Sequence, residues 1–231
     1  MKNIYANISQ IGITSAFSEL VDTDFVGEMN ALCWFRELEG DFKEIAGKLQ
    51  LKENITAVSS EDLLALQLSD QGNKAREIIL NDLRLLDSFG ASPSLNLLKC
   101  YEQDDEFDFI STDVYSYHVD RSPIATDTFL CTYHGMASDI ISNDQAEQKI
   151  LIPEIRKKLQ ELHEGPTEDF EDFLKENYFD LHYQAKPNAS PVNLGTGHLW
   201  RLAVDHPEQQ VLACIHRAPR ENGEYRLLLI C

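Results

Sequence analysis

The sequence predicts an α+β fold, because helix-like and strand-like segments occupy separate stretches of the chain. Helical spacing of apolar residues prevails over residues 1–93, and short segments rich in β-forming residues follow from Ser94. Helical spacing returns once, over an insertion at about residues 138–182, before three further strand-like segments. Because no internal repeat separates the strands on either side of this insertion, we expect one sheet system and a single domain over residues 1–231.

Helix signals recur through the N-terminal region. Residues 41–51 place apolar side chains at helical spacing, with Asp41 as a candidate N-cap. A Ser-Ser-Glu-Asp start at residues 59–62 precedes another apolar run, and residues 73–89 repeat the helical period. Only residues 28–38 fit a strand as well as a helix, so the region is predicted to be mainly helical.

The rest of the chain is predicted to form six strands interrupted by the helical insertion. The strand-like segments combine β-branched or aromatic residues with flanking turn residues. They are residues 94–101, 113–119, 128–133, 198–204, 211–217 and 225–231. Within the insertion, residues 144–163 and 167–178 form two amphipathic stretches divided by Gly165 and Pro166.

The charge balance opposes nucleic-acid and membrane partners. The 39 Asp and Glu residues outnumber the 20 Lys and Arg residues, and the formal charge of −19 repels phosphate backbones and anionic lipid head groups. The sequence has no run of 18 apolar residues and no basic and apolar secretion signal. Its five cysteines form no C-x-x-C pair, which is typical of reduced thiols. We therefore expect a cytoplasmic protein that binds neither nucleic acid nor a membrane.

A candidate metal site begins with the H-x-D pattern of His118 and Asp120. On a strand, residues two apart share a face, so both side chains point the same way. With His216 from another strand they would complete a two-histidine, one-carboxylate triad, which leaves open positions on iron(II). The alternative is that Asp120 only holds His118 by a hydrogen bond near the end of a strand.

A candidate carboxylate clamp lies near the C-terminus. We expect the last two strands to pair as a hairpin, which would place His216 opposite Arg226. A guanidinium beside a metal-bound histidine offers two parallel N–H donors to the far carboxylate of a diacid bound at the metal. The alternative is a surface ion pair of Arg226 with Glu221 or Glu224.

Further polar residues are secondary candidates. Tyr133 could donate its hydroxyl to a bound carboxylate, although an ordinary core tyrosine is an alternative. His134 or His198 would replace a ligand if the strand register shifted by one residue. Three more histidines lie in segments read as helices or turns and are expected to be exposed: His163, His182 and His206.

The motifs carry two resemblances. The H-x-D pair, a histidine 98 residues later and an arginine ten residues beyond it resemble the pattern of iron(II)/2-oxoglutarate dioxygenases. More closely, YHVDRSPIATDTFLCTYHG together with IHRAPR and RLLLI resembles a bacterial family of uncharacterised proteins with HVD and HRSP-type motifs. This second resemblance covers about residues 113–135 and 197–230, and Ala218 stands where that family commonly has serine.

The dioxygenase resemblance implies a fold and a function. The fold is a double-stranded β-helix (a jelly-roll, cupin-like core) over residues 94–231, with the helical N-terminal region packed on it. His118, Asp120 and His216 would hold iron(II), and Arg226 would bind the co-substrate 2-oxoglutarate. The implied activity is an oxygenase acting on an unidentified small molecule or protein side chain. The alternative is a cupin-like protein that binds a metal or a small acid without oxygen chemistry.

Overall fold

Seven strands form the larger sheet of the computed structural model, which describes Tyr5 and residues 8–231. The order across this sheet is β1-β2-β11-β6-β13-β4-β3. Its members are β1 (Ile11–Thr14), β2 (Ala31–Trp34), β3 (Ile55–Val58), β4 (Ser94–Leu98), β6 (Asp127–His134), β11 (Leu199–Ala203) and β13 (Arg226–Ile230). Only the β1–β2 pair is parallel, so the sheet is mixed.

A second sheet of six antiparallel strands curls into a half-barrel, in the order β10-β7-β12-β5-β9-β8. Its members are β5 (Tyr117–His118), β7 (Asp139–Ile141), β8 (Ala146–Gln148), β9 (His182–Ala185), β10 (Val192–Asn193) and β12 (Ile215–Arg217). Consecutive strands lie in opposite sheets from β4 to β7 and again from β10 to β13. Between these two stretches, β7 to β10 all lie in the six-stranded sheet. An apolar cluster with members from both sheets, including Trp200, Ile140 and Leu228, fills the space between them. We call this the inter-sheet space.

Helices of the N-terminal region cover the outer face of the seven-stranded sheet, whereas the two helices of the insertion pack in a separate apolar cluster. The helices among the described residues are α1 (Phe17–Asp22), α2 (Phe42–Lys48), α3 (Ser60–Ala65), α4 (Asp70–Phe89), α5 (Pro153–Leu162) and α6 (Phe170–Glu176). Asp41 caps α2 by accepting from the backbone N–H of Glu44, as predicted, and Ser59 forms a capping box with Asp62 at α3. Helix α4 packs Ile79 and Leu86 against the outer face of the sheet. None of the helices in this part of the chain combines the length and the apolar character needed to cross a bilayer.

Two sequence predictions about segment type need correction. The N-terminal region does contain α1 to α4, but it also supplies β1, β2 and β3 to the sheet, and residues 28–38 contain β2. Residues 1–4, 6 and 7 of that region lie outside the described residues. The insertion likewise contains β7 and β8 besides α5 and α6. These strands are three or four residues long, and β2 and β7 are largely buried, so none of them shows a sustained polar alternation.

The predicted C-terminal hairpin is wrong. Strand β12 pairs with β5 and β7, whereas β13 pairs with β4 and β6 in the other sheet. The intervening residues 218–225 are longer than the two to five residues of a typical hairpin loop, and they cross from one sheet to the other. His216 therefore lies opposite His118 and Ile140, and Arg226 lies opposite Leu98.

Candidate metal site

Backbone pairing of β5 and β12 brings together two residues that are far apart in sequence. His118 and His216 are direct partners in the antiparallel ladder, and their ring centroids are 4.5 Å apart. Directly opposed residues in such a pair point to the same face of the sheet. His118 and His216, two of the three predicted ligands, therefore meet because of strand register, not because of a flexible loop.

The two histidines face the inter-sheet space. Tyr117 and Val119, which flank His118, pack in an apolar cluster on the other face of the six-stranded sheet, as does Ile215 next to His216. Alternation along a strand then turns both histidines away from that cluster. Asp120, two residues after His118, follows the same alternation.

The three side chains are close enough to share one ion. The Nε2 atoms of His118 and His216 lie 4.0 and 3.7 Å from the carboxylate oxygens of Asp120. One ligand atom from each residue lies within 4.8 Å of the other two. Metal ions of the first transition row bind nitrogen and oxygen at about 2.0–2.2 Å, which puts two ligands of one ion roughly 3–4 Å apart. This group could therefore hold a metal ion after small side-chain adjustments.

Hydrogen bonds direct the correct nitrogen of each ring toward the shared point. The Nδ1 of His118 lies 2.8 Å from the carbonyl oxygen of Ser116, and the Nδ1 of His216 lies 3.1 Å from that of Cys214. A carbonyl only accepts, so Nδ1 carries the proton and Nε2 keeps a free lone pair. Burial, with a smaller effect of nearby His216, lowers the pKa of His118 to about 4 and keeps this ring neutral near pH 7.

The carboxylate of the triad is ionised and oriented. Burial alone would raise the pKa of Asp120, but nearby His216 and a hydrogen bond donated by the Thr128 hydroxyl leave it below its ordinary value. Thr128 lies on β6, so this bond connects the two sheets at the site. Two imidazoles and one carboxylate form a donor set that could hold a metal ion, with positions left open for other ligands.

Arg226 lies in the same inter-sheet space and lacks a negative partner. Only 7% of this residue is exposed, and its guanidinium donates to the hydroxyl oxygens of Thr132 and Ser138, with the Tyr101 hydroxyl also in contact. Among the described residues, no carboxylate forms an ion pair with it. A buried charge without a counter-charge is costly, by several kcal/mol. The predicted alternative, a surface pair with Glu221, is wrong, since Glu221 instead accepts from the Tyr115 hydroxyl.

Strand β6 fixes the separation between the triad and Arg226. Thr128 contacts Asp120 and Thr132 contacts Arg226, and both threonines face the inter-sheet space. Residues four apart on a strand are separated by about 13 Å along the strand. Asp120 and Arg226 therefore contact the same face of β6 at points about 13 Å apart along the strand.

Tyr133 does not join this site. Its ring packs in the cluster beneath the helices and stacks on Phe42, and its hydroxyl donates to Asp82. Tyr133 is adjacent to Thr132 on β6, so alternation places it on the face away from Arg226. The predicted contact with a carboxylate bound by Arg226 does not fit this placement.

The remaining histidines correct one prediction and support none of the alternative ligands. The Nδ1 of His198 accepts from the backbone N–H of Arg36 and its ring stacks on Phe35, away from the triad. His134 ends β6 and is also outside the metal-ligating group. His182, expected to be exposed, is instead buried on β9 directly opposite His118. An available signal was its place between apolar Leu181 and Tyr183, which matches the surroundings of His118.

Comparisons with known proteins add no family. No family model matches the chain, and no curated protein or solved structure is similar to it. The two resemblances drawn from the motifs therefore remain predictions. Apart from these resemblances, an inference of function must come from the side chains that face the inter-sheet space.

Proposed function

We propose that the chain is an iron(II)- and 2-oxoglutarate-dependent oxygenase with its metal at His118, Asp120 and His216. The observation that carries the proposal is the buried guanidinium of Arg226, which has only hydroxyl partners among the described residues and shares the inter-sheet space with the triad. A metal ion would bind one end of a 2-oxo diacid, and Arg226 would pair with the carboxylate at the other end. One dianionic ligand thus accounts for both incomplete groups.

The strand order supports a double-stranded β-helix as the fold of this proposal. Strands β4, β6, β11 and β13 lie in one sheet and β5, β7, β10 and β12 in the other, with β13 between β4 and β6 and β12 between β5 and β7. This interleaving puts early and late segments side by side in both sheets. In this proposal the ligands and the clamp come from strands of both sheets, with His118 on β5, His216 on β12 and Arg226 on β13. Residues 1–93 and the insertion would be additions to one composite domain.

Each residue has a defined task in the proposed reaction. Bound iron(II), with 2-oxoglutarate and oxygen, supplies oxidative decarboxylation coupled to hydroxylation of a substrate C–H bond. His118 and His216 present their Nε2 lone pairs, and Asp120, oriented by Thr128, supplies the third ligand. Arg226 orients the diacid, and the apolar cluster around Leu130 and Leu228 excludes water.

An anaerobic titration tests the proposal. Protein with iron(II) and 2-oxoglutarate should develop a charge-transfer absorption band, and admission of air should convert 2-oxoglutarate to succinate. His216→Ala should abolish the band because it removes one of three ligands, whereas His206→Ala, outside the triad, should leave it unchanged. Metal-loaded protein with a flat spectrum and no succinate from any 2-oxo acid would contradict the oxygenase and favour the cupin-like binding protein. If iron(II) and manganese(II) neither bind nor raise the melting temperature, both the oxygenase and the metal-binding protein are excluded. His118 and Asp120 would then only pair with each other.

A further inference from the structure

A row of basic side chains extends from the metal site across the six-stranded sheet. His216 pairs with His118, and His118 pairs in turn with His182 on β9. Pairing of β8 with β9 ends at Gln148 opposite Tyr183, so the next residue, Lys149, comes beside His182. Neighbouring strands lie about 4.8 Å apart, which places His182 one strand and Lys149 two strands from His118.

His182 is a buried polar side chain without a partner. It is 5% exposed, its Nδ1 has no accessible surface, and neither ring nitrogen forms a hydrogen bond with any of the described residues. Its neighbours Leu181 and Tyr183 pack in the cluster on the other face, so His182 shares the face of His118, with ring centroids 5.9 Å apart. Buried polar groups are almost always hydrogen-bonded, and an exception calls for a partner that is absent from the chain itself.

Lys149 brings a spare donor to the same place. Its ammonium group donates to the carbonyl of Ser111 and to the hydroxyl of Ser116, which uses two of three N–H bonds. Ser116 also accepts the Nδ1 proton of His118 through its carbonyl. Lys149 is therefore connected to the first metal ligand through a single residue.

The charges around this pair favour an uncharged ligand group. Asp104 and Asp113 lie close enough to act electrostatically on both Lys149 and His182. Both carboxylates are already held by the loop, because Asp104 accepts from Thr112 and Asp113 accepts from Ser116. They offset the charge of Lys149 without pairing with it, so a second anion would gain little there.

We infer that His182 and Lys149 form a substrate subsite next to the metal, which binds an uncharged carbonyl or amide oxygen of the molecule to be oxidised. The inference rests on the proposed function and adds a class of substrate to it. The Nε2–H of His182, the ring nitrogen that is not fully enclosed, and the third N–H of Lys149 donate to that oxygen. Both are positioning residues that hold the substrate beside the open positions of the metal.

The test uses the intact protein loaded with zinc(II), which gives no oxygen chemistry, and with 2-oxoglutarate. Ring nitrogen resonances of His182, identified by their loss in His182→Leu, are followed by NMR during titration with acetamide or acetate. Acetamide should shift them saturably, with a half-saturation at least about threefold lower than that of acetate. Lys149→Met should weaken the acetamide effect by at least about threefold, whereas Lys158→Met, a matched control on exposed α5, should not.

Several results would overturn the subsite. Resonances of His182 that stay fixed up to about 100 mM of either compound would exclude a ligand site. Tighter binding of acetate would contradict the uncharged substrate group. His182→Leu should also leave zinc(II) affinity and thermal stability undiminished, and a loss of either would make His182 a structural residue. If 2-oxoglutarate does not bind, the proposed function fails, but the same titration on zinc-loaded protein without it still tests the subsite.

Discussion

Each face of the seven-stranded sheet buries an arginine, and the two arginines differ in their hydrogen-bond and ion-pair partners. On the helix-covered face, Arg36 forms a two-bond ion pair with Asp82, and Asp82 also accepts from Tyr133. On the inter-sheet face, Arg226 has only hydroxyl partners among the described residues. The first network includes a counter-charge, whereas the second lacks one among the described residues and would gain it on binding an anion.

The contrast indicates how a functional face can be distinguished from a structural one. Buried charge alone does not mark a site, because Arg36 is nearly as enclosed as Arg226. Incomplete pairing distinguishes Arg226 from Arg36, and it is shared by side chains of the six-stranded sheet that face the same space: the triad, with its free Nε2 lone pairs, and His182. Substitutions on the helix-covered face should therefore mainly lower stability, whereas substitutions on the inter-sheet face should mainly lower ligand affinity.

The largest expected effect of a single substitution on stability is on the helix-covered face. Asp82→Ala should lower the free energy of unfolding by about 3–5 kcal/mol, because it leaves Arg36 buried and unpaired. Urea unfolding measures this change. Asp87→Ala, at an exposed position on the same helix, is the control and should change stability by less than about 0.5 kcal/mol. A loss for Asp82→Ala as small as that of the control would mean that the Arg36 pair is not a structural element.

Arg226→Met should show the reverse pattern. We expect a change in unfolding free energy below about 1 kcal/mol, because loss of hydroxyl contacts is offset by removal of an unpaired charge. Affinity for 2-oxoglutarate should fall by about 10- to 100-fold, as for loss of a charged hydrogen-bond pair. Calorimetric titration of metal-loaded protein measures this affinity. Arg217→Met is the surface control, because Arg217 pairs with Asp139. Destabilisation of several kcal/mol with unchanged affinity would reverse the roles of the two faces.

Acid should act on the inter-sheet face of the metal-free protein. Burial lowers the pKa of His118 to about 4 and that of His182 to about 3, so the unfolded chain binds more protons than the folded one below about pH 6.5. Stability should fall as pH decreases from 6.5 to 4, by about 1.4 kcal/mol per pH unit for each histidine. Urea unfolding across this range should show a shallower slope for His182→Leu. An equal slope in that variant would show that His182 is not a neutral buried group.

The smallest effect concerns the sequence prediction for Tyr133. Tyr133→Phe removes one hydrogen bond to Asp82 and should cost about 1 kcal/mol of stability. Affinity for 2-oxoglutarate should stay within about twofold of the parent value, since the hydroxyl lies on the face away from Arg226. Weakening of 2-oxoglutarate binding by this variant would restore the role that the sequence suggested.

Local patterns in the sequence predicted more than long-range pairing did. The period of two placed His118 and Asp120 on one face, and Asp41 marked a helix start that the structure contains. The α+β class is confirmed, while the single domain, the double-stranded β-helix and the roles of the site residues remain predictions. The hairpin assumption failed because strands adjacent in sequence need not pair when the loop between them can reach another sheet.

The sequence also did not predict the short buried strands or the partners of buried residues. β1 and β2 have few residues and little polar alternation, so they carry almost no periodic signal. The Arg36–Asp82 pair depends on the packing of α4 on the sheet, which no local pattern encodes. His182 was misplaced because it was taken as the end of the helical insertion, whereas it begins a four-residue strand.

The ladder pairing of His118 with His216 has a consequence for biosynthesis. During translation, residue 118 emerges long before residue 216, and β5 cannot gain its β12 neighbour until the chain has been synthesised beyond Arg217. A nascent or truncated chain therefore offers at most two of the three ligands. All three side chains could hold a metal ion only after residue 216 has been synthesised and β12 has paired with β5.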